Sequence, residues 1–418
     1  MSRLKIEGPC KLEGEVQVHG AKNSTLPLLA ASLLCNGECV LHNCPQLSDV
    51  DITIQILRHL GCQVKREGST VVVNSSQIKN WDIPDQLMRE MRSSIVFLGA
   101  ILARVKQAKL SFPGGCELGP RPIDLHLAAL KKLGVQIREN HGCLYCSAKH
   151  GLWGKSIGLS FPSVGATENI MLAAVLAKGT TIITNAACEP EICDLANFLN
   201  AAGGDVKGAG SNTIVIQGVE RLHGCEHRAI PDRIAAATLL SAAAITGSNI
   251  LLREIELAHL EPILPVFEEA GCQFSMQGRE LNMVSPERLN PVKSVRTMPY
   301  PGFPTDAQAP IMAMTCMADG TSVFVENIFE SRYKHVGELV RLGARIKVEG
   351  RVAVVEGGKH LSGAEVQAAD LRGGAALVVA GLAAEGVTQV QNVRYIDRGY
   401  ESLEHTLASL GAQIIRVS

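Results

Sequence analysis

The sequence predicts a mixed α/β chain of two globular domains, each closed from three copies of one repeat, and two recurring patterns predict it. The first is an apolar residue, Gly, any residue, a polar residue and an apolar one. The pattern occurs as Leu60-Gly-Cys-Gln-Val64, Leu133-Gly-Val-Gln-Ile137, Ala202-Gly-Gly-Asp-Val206, Ala270-Gly-Cys-Gln-Phe274, Leu342-Gly-Ala-Arg-Ile346 and Leu410-Gly-Ala-Gln-Ile414. Its glycines stand at 61, 134, 203, 271, 343 and 411, a period of 68 to 73 residues. A fixed period of this kind marks a repeat architecture. Each copy reads as a helix that ends on a glycine and passes into an alternating strand.

The second pattern is an alanine-rich apolar helix, a glycine turn and a β-branched strand. These helices begin near Lys22, Arg92, Gly165, Arg233, Asp306 and Arg372. Clear cases are Ile170–Gly179 followed by Thr180–Thr184, and Ala375–Ala384 followed by Val387–Gln391. A helix apolar all round is a buried one. Each repeat therefore holds one buried helix, one amphipathic helix and several short strands. Units of this size with fully apolar helices suit closed three-fold packing better than an open solenoid. The expected domains are 22–229 and 1–21 plus 230–418, joined at Ala229-Ile-Pro-Asp-Arg233 and near Gly20-Ala21. The strand Leu12–Val18 is expected to complete the last repeat beside Gln413–Arg416, and the active site to lie in the interdomain cleft.

Composition excludes several functions. The 418 residues carry 40 Lys+Arg against 41 Asp+Glu, so no global field recruits nucleic acid or an anionic membrane, and any anion site is local. The start Met1–Glu7 has no apolar core of signal-peptide length, and no run of about 18 apolar residues occurs. A soluble cytoplasmic protein is expected, with no membrane insertion and no obligate protein partner. There are thirteen cysteines, and most, scattered through apolar segments, read as reduced core residues. Cys143 and Cys146 have metal-like spacing, but no second pair completes four ligands.

Two features carry chemistry. In Phe112–His126, three glycines and three prolines surround Cys116 and Arg121. Such a loop is either a surface turn with an incidental cysteine or a mobile lid bearing a reactive one, since a thiol beside a cation ionises more easily. Five of the six buried helices also begin with or just after a charged residue: Lys22, Arg92, Arg233, Asp306 and Arg372. Helix N-termini attract anions, and cations placed there oppose the helix dipole. An anionic ligand explains them better than capping does. Asp306, taken alone, reads as a cap.

These segments resemble the enolpyruvyl transferase family, and within it the members that act on UDP-N-acetylglucosamine. The resemblance covers the whole chain. It is carried by Gly20–Asn23, Met91–Ile95, Pro113–Pro122, Ser163–Thr167, Pro231–Arg233, Phe303–Asp306, Asp370–Arg372 and Ile396–Tyr400. The fold it implies is a two-domain inside-out α/β barrel, each domain three βαβαββ repeats around buried helices. The implied reaction moves the enolpyruvyl group of phosphoenolpyruvate onto the 3'-hydroxyl of UDP-N-acetylglucosamine and releases phosphate by addition and elimination. This is the first committed step of peptidoglycan synthesis, and the implied substrates are these two small molecules, with no metal or organic cofactor.

By the same resemblance Cys116 is the general acid, and the target of the epoxide fosfomycin. Asp306 is the base, and its place in Phe-Pro-Thr-Asp reverses the capping preference. Lys22, Arg121 and Arg398 hold phosphoenolpyruvate; Arg372 and Arg332 are further cations near it, and Asn23 contacts the reacting centre. The nucleotide-sugar is expected against Arg121, Pro122, Ile123, Asp124 and Leu125, against Arg92 and Ser163, Val164 and Gly165 near the diphosphate, and at Ile328; Asp370 is a further expected substrate-binding residue. Two positions depart from the family pattern: Ala235 stands where Glu is usual, and Phe161 where some members have lysine. The competing readings are the sister reaction on shikimate 3-phosphate, disfavoured by the Pro-Gly-Gly-Cys loop, and a non-catalytic nucleotide-sugar-binding paralogue, disfavoured by retention of Lys22, Cys116, Asp306 and Arg398.

Overall fold

The computed structural model describes residues 2–111, 123–358 and 360–417. They form two compact units, one from 20–111 with 123–230, the other from 2–19 with 231–417. Each unit has its own hydrophobic core.

Twelve helices carry the repeat. In the unit 20–230 they are α1 (Lys22–Ser32), α2 (Ser48–Leu60), α3 (Phe97–Val105), α4 (Asp124–Lys132), α5 (Val164–Ala174) and α6 (Pro190–Ala201). In the other unit they are α7 (Arg233–Ile245), α8 (Leu264–Glu269), α9 (Thr305–Thr315), α10 (Val336–Arg341), α11 (Leu371–Ala383) and α12 (Leu403–Ser409). The odd-numbered helices are the alanine-rich ones, and nearly all their residues are buried. In the second unit α7, α9 and α11 all pack on one another; in the first, α5 packs chiefly on α3, and α1 on α6.

The repeated glycines do what the pattern requires. Gly61, Gly134, Gly203, Gly271, Gly343 and Gly411 all have φ between +94° and +107°. A side chain is strained there, so glycine is the residue that lets each outer helix turn at once into its strand. The strand after each turn then forms an antiparallel pair, as in Gln63–Glu67 with Thr70–Asn74 and Arg345–Glu349 with Val352–Glu356.

The N-terminal strands pair differently from expectation. Glu13–Gln17 does not join the last repeat; it runs parallel to Asn249–Arg253 in the fourth. The last repeat is completed instead by Arg3–Gly8, which lies between Gly386–Gln391 and Ile414–Val417. Its alternation Leu4, Ile6 against Arg3, Lys5, Glu7 buries one face, the signal of a half-buried strand. Cys143 and Cys146 lie three apart on the strand Cys143–Ser147, which points them to opposite faces, and both are free thiols. Among the described residues, no group of three or more His, Cys, Asp or Glu is placed to hold a metal, and no helix is long and apolar enough to cross a membrane.

Candidate active site

In the unit 20–230 the sequence-selected residues cluster at helix starts. Gly20 precedes α1 because nothing larger fits: a Cβ there would fall 1.7 Å from the Asn43 carbonyl oxygen. The Ala21 amide bonds Ile230 O at 2.7 Å, and Ser24 Oγ donates to Asp194 Oδ2. This fixes the first turn of α1, where Lys22 is buried and its Nζ lies 2.7 Å from Asp49 Oδ2 on the first turn of α2. Asp49 is fully buried. A cation at a helix N-terminus thus has a protein counter-ion here, which the sequence reading lacked. Asn23, the next residue, is half-buried.

Arg92 opens a 3-10 turn, Arg92–Val96, that leads into α3. Cys116, Arg121 and Pro122 lie outside the described residues. Ile123 is the buried N-cap of α4, and Asp124 is that helix's exposed first residue, where its charge also complements the helix dipole; Leu125 is half-buried. Ser163 caps α5, its Oγ accepting from Ala166 N at 3.3 Å, so the half-buried Ser163, Val164 and Gly165 sit where the helix offers backbone N–H groups. Phe161 is exposed, two residues before the cap, and Ala235 is buried in α7.

In the unit 231–417, Asp306 is the second residue of α9, inside its N-cap Pro304. Its carboxylate is gripped from two elements: Arg332 Nη2 donates to Oδ1 at 2.9 Å and also to Thr305 O at 3.0 Å, while Arg372 Nη2 donates to Oδ2 at 3.2 Å. Arg372 is only 2% exposed, and its guanidinium lies over the Tyr400 ring, 5.2 Å from the centroid. Burial alone favours the neutral form of Arg372, but Tyr400, Asp306 and Asp232 outweigh it and hold the guanidinium charged, above arginine's ordinary range. Tyr400 is anchored in turn, its hydroxyl 2.8 Å from Thr238 Oγ1.

Donors remain. Among the described residues, Arg372 Nε and Nη1 and Arg332 Nε are buried without a hydrogen-bond partner. Each such group costs about 1–3 kcal/mol while it stays unfilled, so an acceptor bound in this corner would offset that cost. Asp370 is the N-cap of α11, Oδ1 accepting from Arg372 N and Gly373 N at 3.0 and 2.9 Å; its buried Oδ2 is unfilled. Capping therefore accounts for half of that carboxylate. The Ile328 amide is already bonded to Glu326 Oε1 at 2.8 Å. Arg398 ends the 3-10 turn Val393–Arg398 and is half-buried; its neighbour Asp397 is clamped by both Nη atoms of Arg416, at 2.9 and 2.6 Å.

Sequence reasoning missed Asp49, Glu326 and His335. Glu326 holds the Ile328 and Phe329 amides and receives Thr305 Oγ1, so it joins the Asp306 turn to the Ile328 segment. His335 is buried, and burial pushes its pKa down to about 4, Asp370 opposing and Arg332 adding to the shift. None of the three falls in a glycine-rich or cation-at-helix-start signal, so no local pattern marked them.

A family profile described as EPSP synthase (3-phosphoshikimate 1-carboxyvinyltransferase) matches residues 6–407. UDP-N-acetylglucosamine 1-carboxyvinyltransferase 2 of Caldanaerobacter subterraneus subsp. tengcongensis is 54% identical, covering 100% of both chains. The chain belongs to the enolpyruvyl transferase family. UDP-N-acetylglucosamine 1-carboxyvinyltransferase 1 of Symbiobacterium thermophilum is 49% identical over 99% of this chain and 95% of that one. Among solved structures, the enolpyruvyl transferase NikO from Streptomyces tendae superposes with a TM-score of 0.91 at 26% identity, covering 100% of this transferase and 99% of NikO. EPSP synthase from Acinetobacter baumannii gives 0.78 at 18% identity, over 100% of both, a likeness of fold.

Proposed function

We propose that the chain transfers the enolpyruvyl group of phosphoenolpyruvate to the 3'-hydroxyl of UDP-N-acetylglucosamine with release of phosphate, the first committed step of peptidoglycan synthesis. The observation that carries the chemistry is the set of unfilled guanidinium donors beside Asp306. A small, doubly anionic substrate is what such donors bind, because charge-assisted hydrogen bonds to carboxylate or phosphate are about twice as strong as neutral ones. Full-length identity of 54% and 49% to enzymes named for this activity supports the acceptor, against 18% to an EPSP synthase.

In this reading Cys116 gives a proton to C3 of phosphoenolpyruvate while the 3'-hydroxyl attacks C2, and Asp306 receives the hydroxyl proton. Each Asp306 oxygen accepts a guanidinium hydrogen bond, and the two bonds hold the carboxylate in place. A positioned acid or base contributes about 10²–10⁴-fold. Loss of a C3 proton then expels phosphate and restores the double bond. Lys22, Arg121 and Arg398 clamp the phosphate and carboxylate, with Arg332, Arg372 and Asn23 beside them. Arg92 and Ser163–Gly165 take the diphosphate, Pro122–Leu125 the uracil, and Ile328 and Asp370 the sugar.

Phosphate release by the purified chain, measured with phosphoenolpyruvate and either UDP-N-acetylglucosamine or shikimate 3-phosphate, tests this. Turnover is expected with the nucleotide-sugar alone. Turnover with shikimate 3-phosphate instead, or with neither, would reject it.

A further inference from the structure

Asn169 lies fully buried in α5, the helix that starts at Ser163–Gly165, and its side chain bonds α3, the turn that carries Arg92 and the helix α4 that carries Asp124. Oδ1 accepts from the Gly99 amide of α3 at 2.7 Å. Nδ2 donates to the Ile95 carbonyl, in the 3-10 turn opened by Arg92, at 2.9 Å. Its other hydrogen points to Nδ1 of His126 on α4, also at 2.9 Å. Both Nδ2 hydrogens are thereby used, which makes His126 Nδ1 an acceptor and puts the imidazole proton on Nε2, a tautomer assigned from the network.

The ring of His126 then reaches the start of α5. A Cβ on Gly165 would lie 3.1 Å from His126 Cε1 and 3.4 Å from Nε2. The helices also meet with no slack: a Cβ on Gly99 would lie 2.3 Å from Asn169 O. Apolar packing between α3, α4 and α5 has no direction of its own, whereas one planar amide with three partners on three elements fixes their register. We propose that Asn169, acting through His126, is a positioning residue: it holds the Arg92 turn, the Asp124 helix start and the Ser163–Gly165 helix start in the spacing that binds the nucleotide-sugar. This rests on the function proposed above.

The test compares His126→Phe, which removes one arm of the network, with His126→Asn, whose side-chain oxygen can stand near the position of Nδ1, and with Asn169→Leu. His126→Phe is expected to raise KM for UDP-N-acetylglucosamine about tenfold, the scale of one lost hydrogen bond with its partner left buried. KM for phosphoenolpyruvate should stay within about twofold and kcat within about threefold on the same scale. His126→Asn should recover most of the loss, and Asn169→Leu, if it folds, should exceed it. A merely structural role would lower the melting temperature of all three variants and leave the two KM values moving together, and that outcome overturns the proposal, as does an unchanged KM for the nucleotide-sugar. Calorimetric binding of UDP-N-acetylglucosamine gives the same comparison without turnover, so wild-type phosphate release judges the reaction and the variants judge the positioning.

Discussion

Arg372→Lys keeps the charge at the most buried of the site's cations among the described residues and removes its fork. In the wild type, Nη2 holds Asp306 Oδ2 at 3.2 Å, the guanidinium plane lies over Tyr400, and Nε and Nη1 are the unfilled donors. An ammonium on a flexible stem can replace the Asp306 contact but not the planar donor pair. If phosphoenolpyruvate fills those two donors, the variant loses two charge-assisted bonds at about 1.5 kcal/mol each, the low end of their range, because the lysine recovers part of the attraction. The sum of about 3 kcal/mol corresponds to about a 10²-fold fall in kcat/KM for phosphoenolpyruvate. Arg332→Lys should cost less, since a single atom, Nη2, makes both of its bonds, to Thr305 O and Asp306, and an ammonium can repeat that. Steady-state phosphate release with each substrate varied in turn reads both effects. A kcat/KM for phosphoenolpyruvate within about threefold of wild type in Arg372→Lys would refute the assignment of those donors.

Three further outcomes are expected. His335 has its pKa held down to about 4 against an ordinary value near 6.5, so the unfolded chain binds the extra proton between these values; stability should be complete above about pH 6.5 and fall by about 3 kcal/mol as pH drops to 4. His335→Gln should remove that slope in urea unfolding followed across pH, and an unchanged slope would place the acid sensitivity elsewhere. Arg398→Ala should mainly raise KM for phosphoenolpyruvate, by about tenfold or more for one lost charge-assisted bond; a rise confined to UDP-N-acetylglucosamine would put Arg398 on the other ligand. Cys116→Ser should lose nearly all turnover while Cys116→Asp, best at lower pH, retains activity and resists alkylation by fosfomycin, because an alkoxide is far too basic a partner for proton transfer to carbon; serine turning over as well as cysteine would end the general-acid role.

The repeat was legible because its signals are local. Six glycines at one phase needed only the Gly C-cap rule, and the positive φ of each follows from the same rule. The buried helices declared themselves by composition. What the sequence could not show is pairing over distance. Lys22 meets Asp49, 27 positions away, and neither residue's neighbourhood announces the other. Arg3–Gly8 pairs with the far end of the chain, and its alternation is too short to say with what. Asp306 taken alone looks like a cap at a helix start, and its pairing with Arg332 and Arg372 is again a contact over distance that no local pattern shows. Asp370 looks like a ligand residue beside Arg372, yet one of its oxygens is a cap.

The most direct test of the reaction is a single turnover of phosphoenolpyruvate with UDP-N-acetylglucosamine in deuterium oxide, with the product read by mass spectrometry and proton resonance. Addition and elimination passes through a methyl group at C3, so the transferred enolpyruvyl group should carry deuterium there and phosphate should appear in equal amount. A nucleotide-sugar product without deuterium would contradict the proton transfer to C3, and no enolpyruvyl product at all would contradict the reaction.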